Sequence, residues 1–198
     1  MKIGIIDYGM GNLHSVVNAL SFIGVDSFVS ADPVALNKSD KLILPGVGAF
    51  KDAMDELKKN ALHTWIKEVS SKEVPLLGIC LGMQLLFESS EEHGLSEGLG
   101  LLKGHIKKLE VPYKIPHMGW NELIIKKEAP IFKGLEDKHV YFVHSYHLET
   151  DEDIVSATTN YGKEVQVAAQ QNNLFALQFH PEKSGDVGLN ILKNFSKL

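Results

Sequence analysis

The feature that most restricts the fold is an alternation, repeated through the first half of the chain, of short apolar runs with stretches of helical spacing. KIGIID (2–7) has strand length, and Leu13, Val16, Val17, Leu20 and Ile23 follow at helical spacing, closed by Gly24 where a C-terminal cap belongs. Phe28 and Val29 mark a second strand and KLILP (41–45) a third. From Phe50 to about Val69 one apolar stripe predicts a helix with a break near Asn60. PLLGI (75–79) is a fourth buried strand, and Leu81, Leu85 and Leu86 continue as a helical face. Apolar strands separated by helices are the signature of a parallel sheet covered on both sides.

The second half changes character. GHIKKLEV, WNELII, HVYFVHSYH, DIVSATT, VQVAAQQ and NLFALQFH are short strand-like runs separated by turns, one of them at Gln171-Asn172-Asn173. A last helix is predicted over about 187–195. With 198 residues and neither repeat nor linker, the chain is expected to form a single domain over 1–198. The fold class is α/β: three layers around a central mixed, mostly parallel sheet with an antiparallel extension.

A net charge of −5 without a Lys/Arg block argues against nucleic acid as the main ligand. No apolar run approaches the roughly 20 residues that span a bilayer, and the N-terminus is too poor in apolar residues for a secretory signal. A cytoplasmic location is expected. The one cysteine cannot form an intramolecular disulfide, so its thiol is either inert or reactive.

That cysteine, Cys80, lies in GICLG (78–82) between strand and helix. The spacing matches a nucleophile elbow with sulfur replacing oxygen, in which small residues on either side let a strained turn close. At such a turn the helix N-terminus favours a thiolate, and the Leu81 N–H faces a developing oxyanion. A buried cysteine acting as a small hydrophobe fits the pentapeptide equally well. A nucleophile needs a base, and His180 ends a strand in LQFHPEKS (177–184), with Glu182 two residues on. In an extended segment, residues i and i+2 point to the same side, so Glu182 can orient and charge-stabilise the imidazole, with Pro181 keeping the link stiff. PGVG (45–48), directly after a buried strand, lets backbone N–H groups approach a ligand and can supply a second oxyanion donor; a plain turn is the alternative.

Two patterns imitate other sites. Gly9-Met-Gly11 between strand and helix, with Asp32 about twenty residues on, resembles a dinucleotide fingerprint, but His14 occupies the third glycine position. His144 and His147 lack a matching set at metal-site spacing and are expected to line the crevice at strand ends.

Together, GICLGMQ and FHPEKS resemble the class I, triad-type glutamine amidotransferases, and the resemblance extends over nearly the whole chain. DYGMGNLHSV, PGVGAF, HMGWN and YFVHSYH are similar to the branch that serves histidine biosynthesis, where other branches usually carry a G-G-P-G-type loop. The resemblance implies L-glutamine as substrate, Cys80 as nucleophile, His180 as general acid and base, and Glu182 as its orienting group. It implies that Gln84 helps hold the substrate, that Gly46, Val47 and Gly48 form the oxyanion loop, and that His144, Ser145 and Tyr146 contact the amino acid mainly through backbone. It implies no metal or other cofactor. The partner it implies is a separate (β/α)8-barrel cyclase in a heterodimer, which uses the ammonia to form imidazole glycerol phosphate and an aminoimidazole carboxamide ribotide. Asn12, Trp120 and Lys183 are the candidate interface residues, with ordinary packing as their alternative role. A catalytically silent binding module and a cysteine peptidase are the competing classes.

Overall fold

The computed structural model describes residues 1–136 and 138–198. The alternation resolves into β1 (Ile3–Ile6), α1 (Leu13–Phe22), β2 (Ser27–Ser30), α2 (Pro33–Leu36), β3 (Lys41–Gly46), α3 (Phe50–Lys59), α4 (Leu62–Ser70), β4 (Leu76–Cys80) and α5 (Leu81–Leu85). The expected break at Asn60 is present: Asn60 closes α3, and Ala61 turns through a φ of 56° before α4. The short α2 was not legible in the spacing. Asp32 starts it by accepting the Val34 N–H at 2.9 Å, with Pro33 in the first turn. The carboxylate that imitated a dinucleotide fingerprint is therefore a helix cap.

The second half contributes β5 (Ser89–Ser90), β6 (Ser96–Glu97), β7 (His105–Lys108), β8 (His117–Glu122), β9 (Ile124–Ile125), β10 (His139–His144), β11 (Tyr146–Glu149), β12 (Val155–Asn160), β13 (Glu164–Gln171), β14 (Leu174–Leu177) and α6 (Gly185–Ser196). The hairpin joining β13 to β14 turns at Asn172 and Asn173, with Asn172 in the left-handed region at φ 52°. HVYFVHSYH, a single run by pattern, divides at Ser145. β10 pairs with β8 in a separate two-stranded sheet, whereas β11 joins the main sheet between β13 and β7. Two hydrogen bonds hold the crossing: His144 Nδ1 to the Tyr146 carbonyl (2.8 Å) and the Leu109 N–H to the Ser145 carbonyl (2.9 Å).

The main sheet runs β2-β1-β3-β4-β14 in parallel and continues antiparallel through β13. Its strands are apolar on both faces. Ile3, Ile5, Ile43, Leu77 and Ile79 pack with α1 and α6 on one side. Ile6, Leu42, Leu44 and Leu76 pack with Phe50, Met54, Leu57, Trp65 and Ile66 of α3 and α4 on the other. Such two-sided burial explains why these strands read as continuous apolar runs. In a sheet of this kind ligands bind beyond the carboxyl ends of the strands. Here the ends of β1, β3, β4 and β14 deliver Tyr8, Gly46, Cys80 and Gln178 to His180 at one rim.

α5 lies unusually close to that rim because three positions lack side chains. A Cβ on Gly82 would fall on the Leu44 carbonyl oxygen of β3, and one on Gly78 would stand 2.7 Å from the Gly82 carbonyl oxygen. A Cβ on Gly46, the cross-strand partner of Cys80, would collide with the Tyr8 hydroxyl. Gly82→Ala is therefore expected to destabilise the chain by about 3 kcal/mol or more. Gly24→Ala, which meets open space and only a φ of 73°, costs about 1 kcal/mol. Urea unfolding of the two variants checks the contrast; equal losses would refute the close-approach explanation.

Candidate active site

Cys80 stands at the tip of the turn from β4 to α5 with φ 55° and ψ −113°, a backbone conformation that a side chain other than glycine rarely adopts. Strain of this kind costs about 1–3 kcal/mol and persists only where the surroundings enforce it. The close approach of α5 supplies that enforcement, and the residue remains 8% exposed, so the sulfur is reachable. α5 itself is one short turn of five residues. The thiolate stabilisation expected from a helix N-terminus is correspondingly small.

His180 faces Cys80 across the same cleft. Its Nδ1 lies 2.8 Å from Glu182 Oε1, and both side chains are 2% exposed. The extended link expected between these two groups is not what joins them. Only His180 is extended, and Pro181–Lys183 forms a 3₁₀ turn that folds Glu182 back onto the ring. Ser184 locks the turn, donating its hydroxyl to the His180 carbonyl (2.6 Å) while accepting the Tyr141 N–H (3.0 Å). Burial alone would lower the His180 imidazole, but the Cys80 sulfur and then the Glu182 carboxylate outweigh it and push it up to about 9. His180 Nε2 makes no hydrogen bond among the described residues.

The cleft has a volume of about 400 Å³, the size of a small-molecule site. Of the residues singled out in the sequence, Val47, Gly48, Cys80, Leu81, Gln84, His144, Ser145, Tyr146 and His180 line it. Gly46 does not line it; it ends β3 opposite Cys80. Glu182 stands behind His180, and Asn12, Trp120 and Lys183 lie outside the cleft wall. His147 is also outside, buried in the main sheet with its Nδ1 against the Leu148 carbonyl at 2.8 Å, so the expectation that it lines the crevice fails. Its strand carries it to the core once the chain crosses sheets at Ser145. Glu92, which has no signal in the sequence pattern, is the one carboxylate on the cleft wall among the described residues, and it accepts the first N–H of α3 from Phe50 at 2.7 Å. Among the described residues, no group of three or more His, Cys, Asp or Glu is gathered so as to hold a metal ion. Nor is any helix among them long and apolar enough to cross a membrane.

Comparison with known proteins bears on this geometry. The class-I glutamine amidotransferase family model matches residues 4–198. The chain is 54% identical over 194 residues to the imidazole glycerol phosphate synthase subunit HisH of Bacillus cereus, spanning 98% of this chain and 93% of the relative. It is 49% identical over 203 residues to the HisH subunit of a Geobacillus species, spanning 99% and 96%. The chain belongs to the class I glutamine amidotransferase family. Solved structures share the amidotransferase fold. One glutamine amidotransferase superposes with a TM-score of 0.78 at 18% identity over 99% of both chains. PurLQS from Thermotoga maritima gives 0.78 at 19% identity over 98% of this chain and 96% of that one. At these identities the structural likeness speaks for the fold alone.

Behind the wall of this amidotransferase cleft runs a polar chain that the sequence did not disclose. Asn121 Nδ2 reaches His117 Nε2 (3.2 Å), His117 Nδ1 reaches His144 Nε2 (3.0 Å), and His144 Nδ1 reaches the Tyr146 carbonyl (2.8 Å). A carbonyl only accepts, so His144 carries its proton on Nδ1 and accepts on Nε2, which makes His117 Nδ1 the donor. Both rings are neutral in this arrangement. Burial pushes His117 down to about 4 and His144 down to about 3, with His117 among the charges that lower His144 further. His117 is also stacked between Phe142 and Tyr161, at centroid distances of 4.7 and 4.0 Å. HMGWN therefore braces the cleft wall at Tyr146 through His117.

The unfolded chain takes up protons on these two rings near the ordinary imidazole value of about 6.5, whereas the folded chain takes them up only at about 4 and about 3. Stability is therefore unaffected by these rings above about 6.5, falls as the pH drops from about 6.5 toward the folded values, by about 2–3 kcal/mol per ring at pH 4.5, and levels off below them. Urea midpoints at pH 7 and 4.5 test this. The His117→Gln/His144→Gln double variant is expected to lose much less stability on acidification than the parent chain, and an equal loss would show that other groups carry the acid sensitivity.

Proposed function

We propose that this chain is the glutaminase subunit of an imidazole glycerol phosphate synthase in histidine biosynthesis, acting in the cytoplasm. The observation that carries the mechanism is the juxtaposition of a strained, reachable Cys80 with a His180 ring held at 2.8 Å by Glu182. L-glutamine occupies the cleft. The Cys80 thiolate attacks the side-chain amide carbon, and His180, which holds its proton at neutral pH, gives it to the departing ammonia. The negative charge on the former carbonyl oxygen is taken by the Leu81 N–H, which has no partner within its own helix at that first position, and by an N–H of the loop at Val47 and Gly48. Water then attacks the thioester with His180 as base, glutamate leaves, and the thiol is restored.

The donor inventory constrains the substrate contacts. Gln84 spends its two N–H groups on Gln178 Oε1 (2.9 Å) and the Tyr146 carbonyl (3.4 Å), so its oxygen is the atom left for glutamine. Glu92 meets the α-ammonium group and the backbone of Ser145 and Tyr146 the amino-acid end, a reading supported by all three lining the cleft. Gly46 acts from below, its missing side chain making room for the Tyr8 hydroxyl beside the elbow. No cofactor enters these steps.

The ammonia serves a separate (β/α)8-barrel cyclase, with which the chain forms a heterodimer. HisH relatives are named as synthase subunits, which supports a partnered enzyme. Trp120 exposes 57% of its surface, and Met118, two residues before it on β8, is exposed as well, which supports an apolar contact there. Lys183 projects from the turn that carries Glu182, and Asn12 shapes the start of α1 by accepting the Ser15 N–H. These three residues mark the face on which the cyclase docks.

Reconstitution with the barrel cyclase is the test. Cys80→Ala is expected to abolish glutamine-dependent synthesis while ammonia-dependent synthesis continues, and Glu182→Gln to lower glutamine turnover by about 10²-fold. Retained glutamine dependence in Cys80→Ala, or glutamine turnover without any response to the cyclase, would contradict the proposal.

A further inference from the structure

Gln178 is fully buried, lies two residues before the catalytic histidine, and contributes nothing to the cleft wall. Its Nε2 stands 3.8 Å from Cys80 Sγ, within range for an N–H donated to the larger sulfur atom, and its Oε1 accepts Gln84 Nε2 at 2.9 Å. We infer that Gln178 is a positioning residue for the nucleophile: its amide, locked in one orientation by Gln84, presents an N–H to the Cys80 sulfur and stabilises the attacking thiolate. This inference rests on the amidotransferase mechanism proposed above.

The orientation follows from acceptor chemistry. The Tyr146 carbonyl can only accept, and it lies 3.4 Å from Gln84 Nε2, which fixes the amino group of Gln84 on that side. The same amino group then meets Gln178, so the Gln178 oxygen faces Gln84 and its nitrogen faces the sulfur. Two features give this N–H weight. α5 is a single short turn, so the helix contributes little positive potential at Cys80. The donor is also fully buried, and a hydrogen bond from such a group to a charged atom is worth more than one made in water. The sulfur is thereby held between His180 and Gln178. Since Gln178 does not line the cleft, its effect belongs to kcat and not to KM.

The test uses the full chain with its cyclase, and two readouts. One is kcat and KM for glutamine. The other is the pH profile of Cys80 alkylation by iodoacetamide, a small neutral reagent that needs no amino-acid recognition. Gln178→Met, which keeps the volume and removes the donor, should lower kcat about 10-fold with KM nearly unchanged and move the acid limb of the alkylation profile to higher pH. Gln178→Glu, equal in shape, sets a carboxylate against the thiolate and should lower kcat about 100-fold. Gln84→Met should slow alkylation in the same direction, and the Gln84→Met/Gln178→Met double variant should be no slower than Gln178→Met, because Gln84 reaches the sulfur only through Gln178.

An unmoved alkylation profile in Gln178→Met, a loss confined to KM, or multiplying effects in the double variant would overturn the inference. Far-UV circular dichroism and the urea midpoint establish that each variant is folded, and Gln178→Asn, whose amide is too short to reach the sulfur, replaces Gln178→Met if that variant does not fold. Absence of glutamine turnover in the parent complex would defeat the proposed function instead, while the alkylation profiles would still decide the role of Gln178.

Discussion

Everything at the rim of this sheet depends on how closely α5 approaches β3. The Leu44 carbonyl occupies the space where a side chain on residue 82 would begin, so the helix can sit there only with glycine at that position. The approach leaves the chain one residue in which to turn from strand to helix, and that residue is Cys80, bent to a positive φ. The strain is local and small beside the apolar burial on both faces of the sheet, which holds β3 and β4 in register from Leu42–Leu76 to Gly46–Cys80. A sulfur atom carried on so rigid a pedestal keeps its position while partners are brought to it.

Those partners come from the two halves of the chain in different ways. The first half supplies Cys80 and the glycine loop at the carboxyl ends of β4 and β3. The second half supplies His180, just after β14, which pairs in parallel with β4, together with residues 143–146 of the cleft wall and the polar network behind them. The imidazoles are tuned in opposite directions by where they lie. His180, between a sulfur and a carboxylate, is pushed up to about 9, whereas His144, buried among neutral groups and other imidazoles, is pushed down to about 3. One ring is thereby kept protonated at neutral pH and the other as a neutral hydrogen-bonding strut.

Much of this was legible in the sequence. The alternation of apolar runs with helical spacing gave the parallel half nearly strand by strand, because two-sided burial leaves an uninterrupted hydrophobic signal. GICLG and HPE stood out because tight turns and stiff links demand glycine and proline at fixed offsets, but it was the family resemblance that joined Cys80, His180 and Glu182 into one expected site. The 3₁₀ turn that actually joins His180 to Glu182 was not readable, since Pro181 suits an extended link and a helical first turn alike. The division of HVYFVHSYH at Ser145 was hidden because no turn residue such as glycine or proline marks it, and a change of sheet leaves no mark in periodicity. Gln178, Gln84 and His117 form contacts between residues 27 to 94 positions apart, and no local pattern announces a hydrogen bond across such a distance. Glu92 lies in an ordinary charged stretch whose only signal is the partner it finds at Phe50.

The central claim is that glutamine passes through a covalent bond to Cys80. Because the chain has a single cysteine, the site of any thioester is unambiguous. Acid quenching of the complex during glutamine turnover, followed by peptide mass spectrometry, measures it directly. The account predicts a glutamyl adduct confined to the peptide that contains Cys80. Full turnover without that adduct under conditions that trap the intermediate, or an adduct on any other residue, would contradict it.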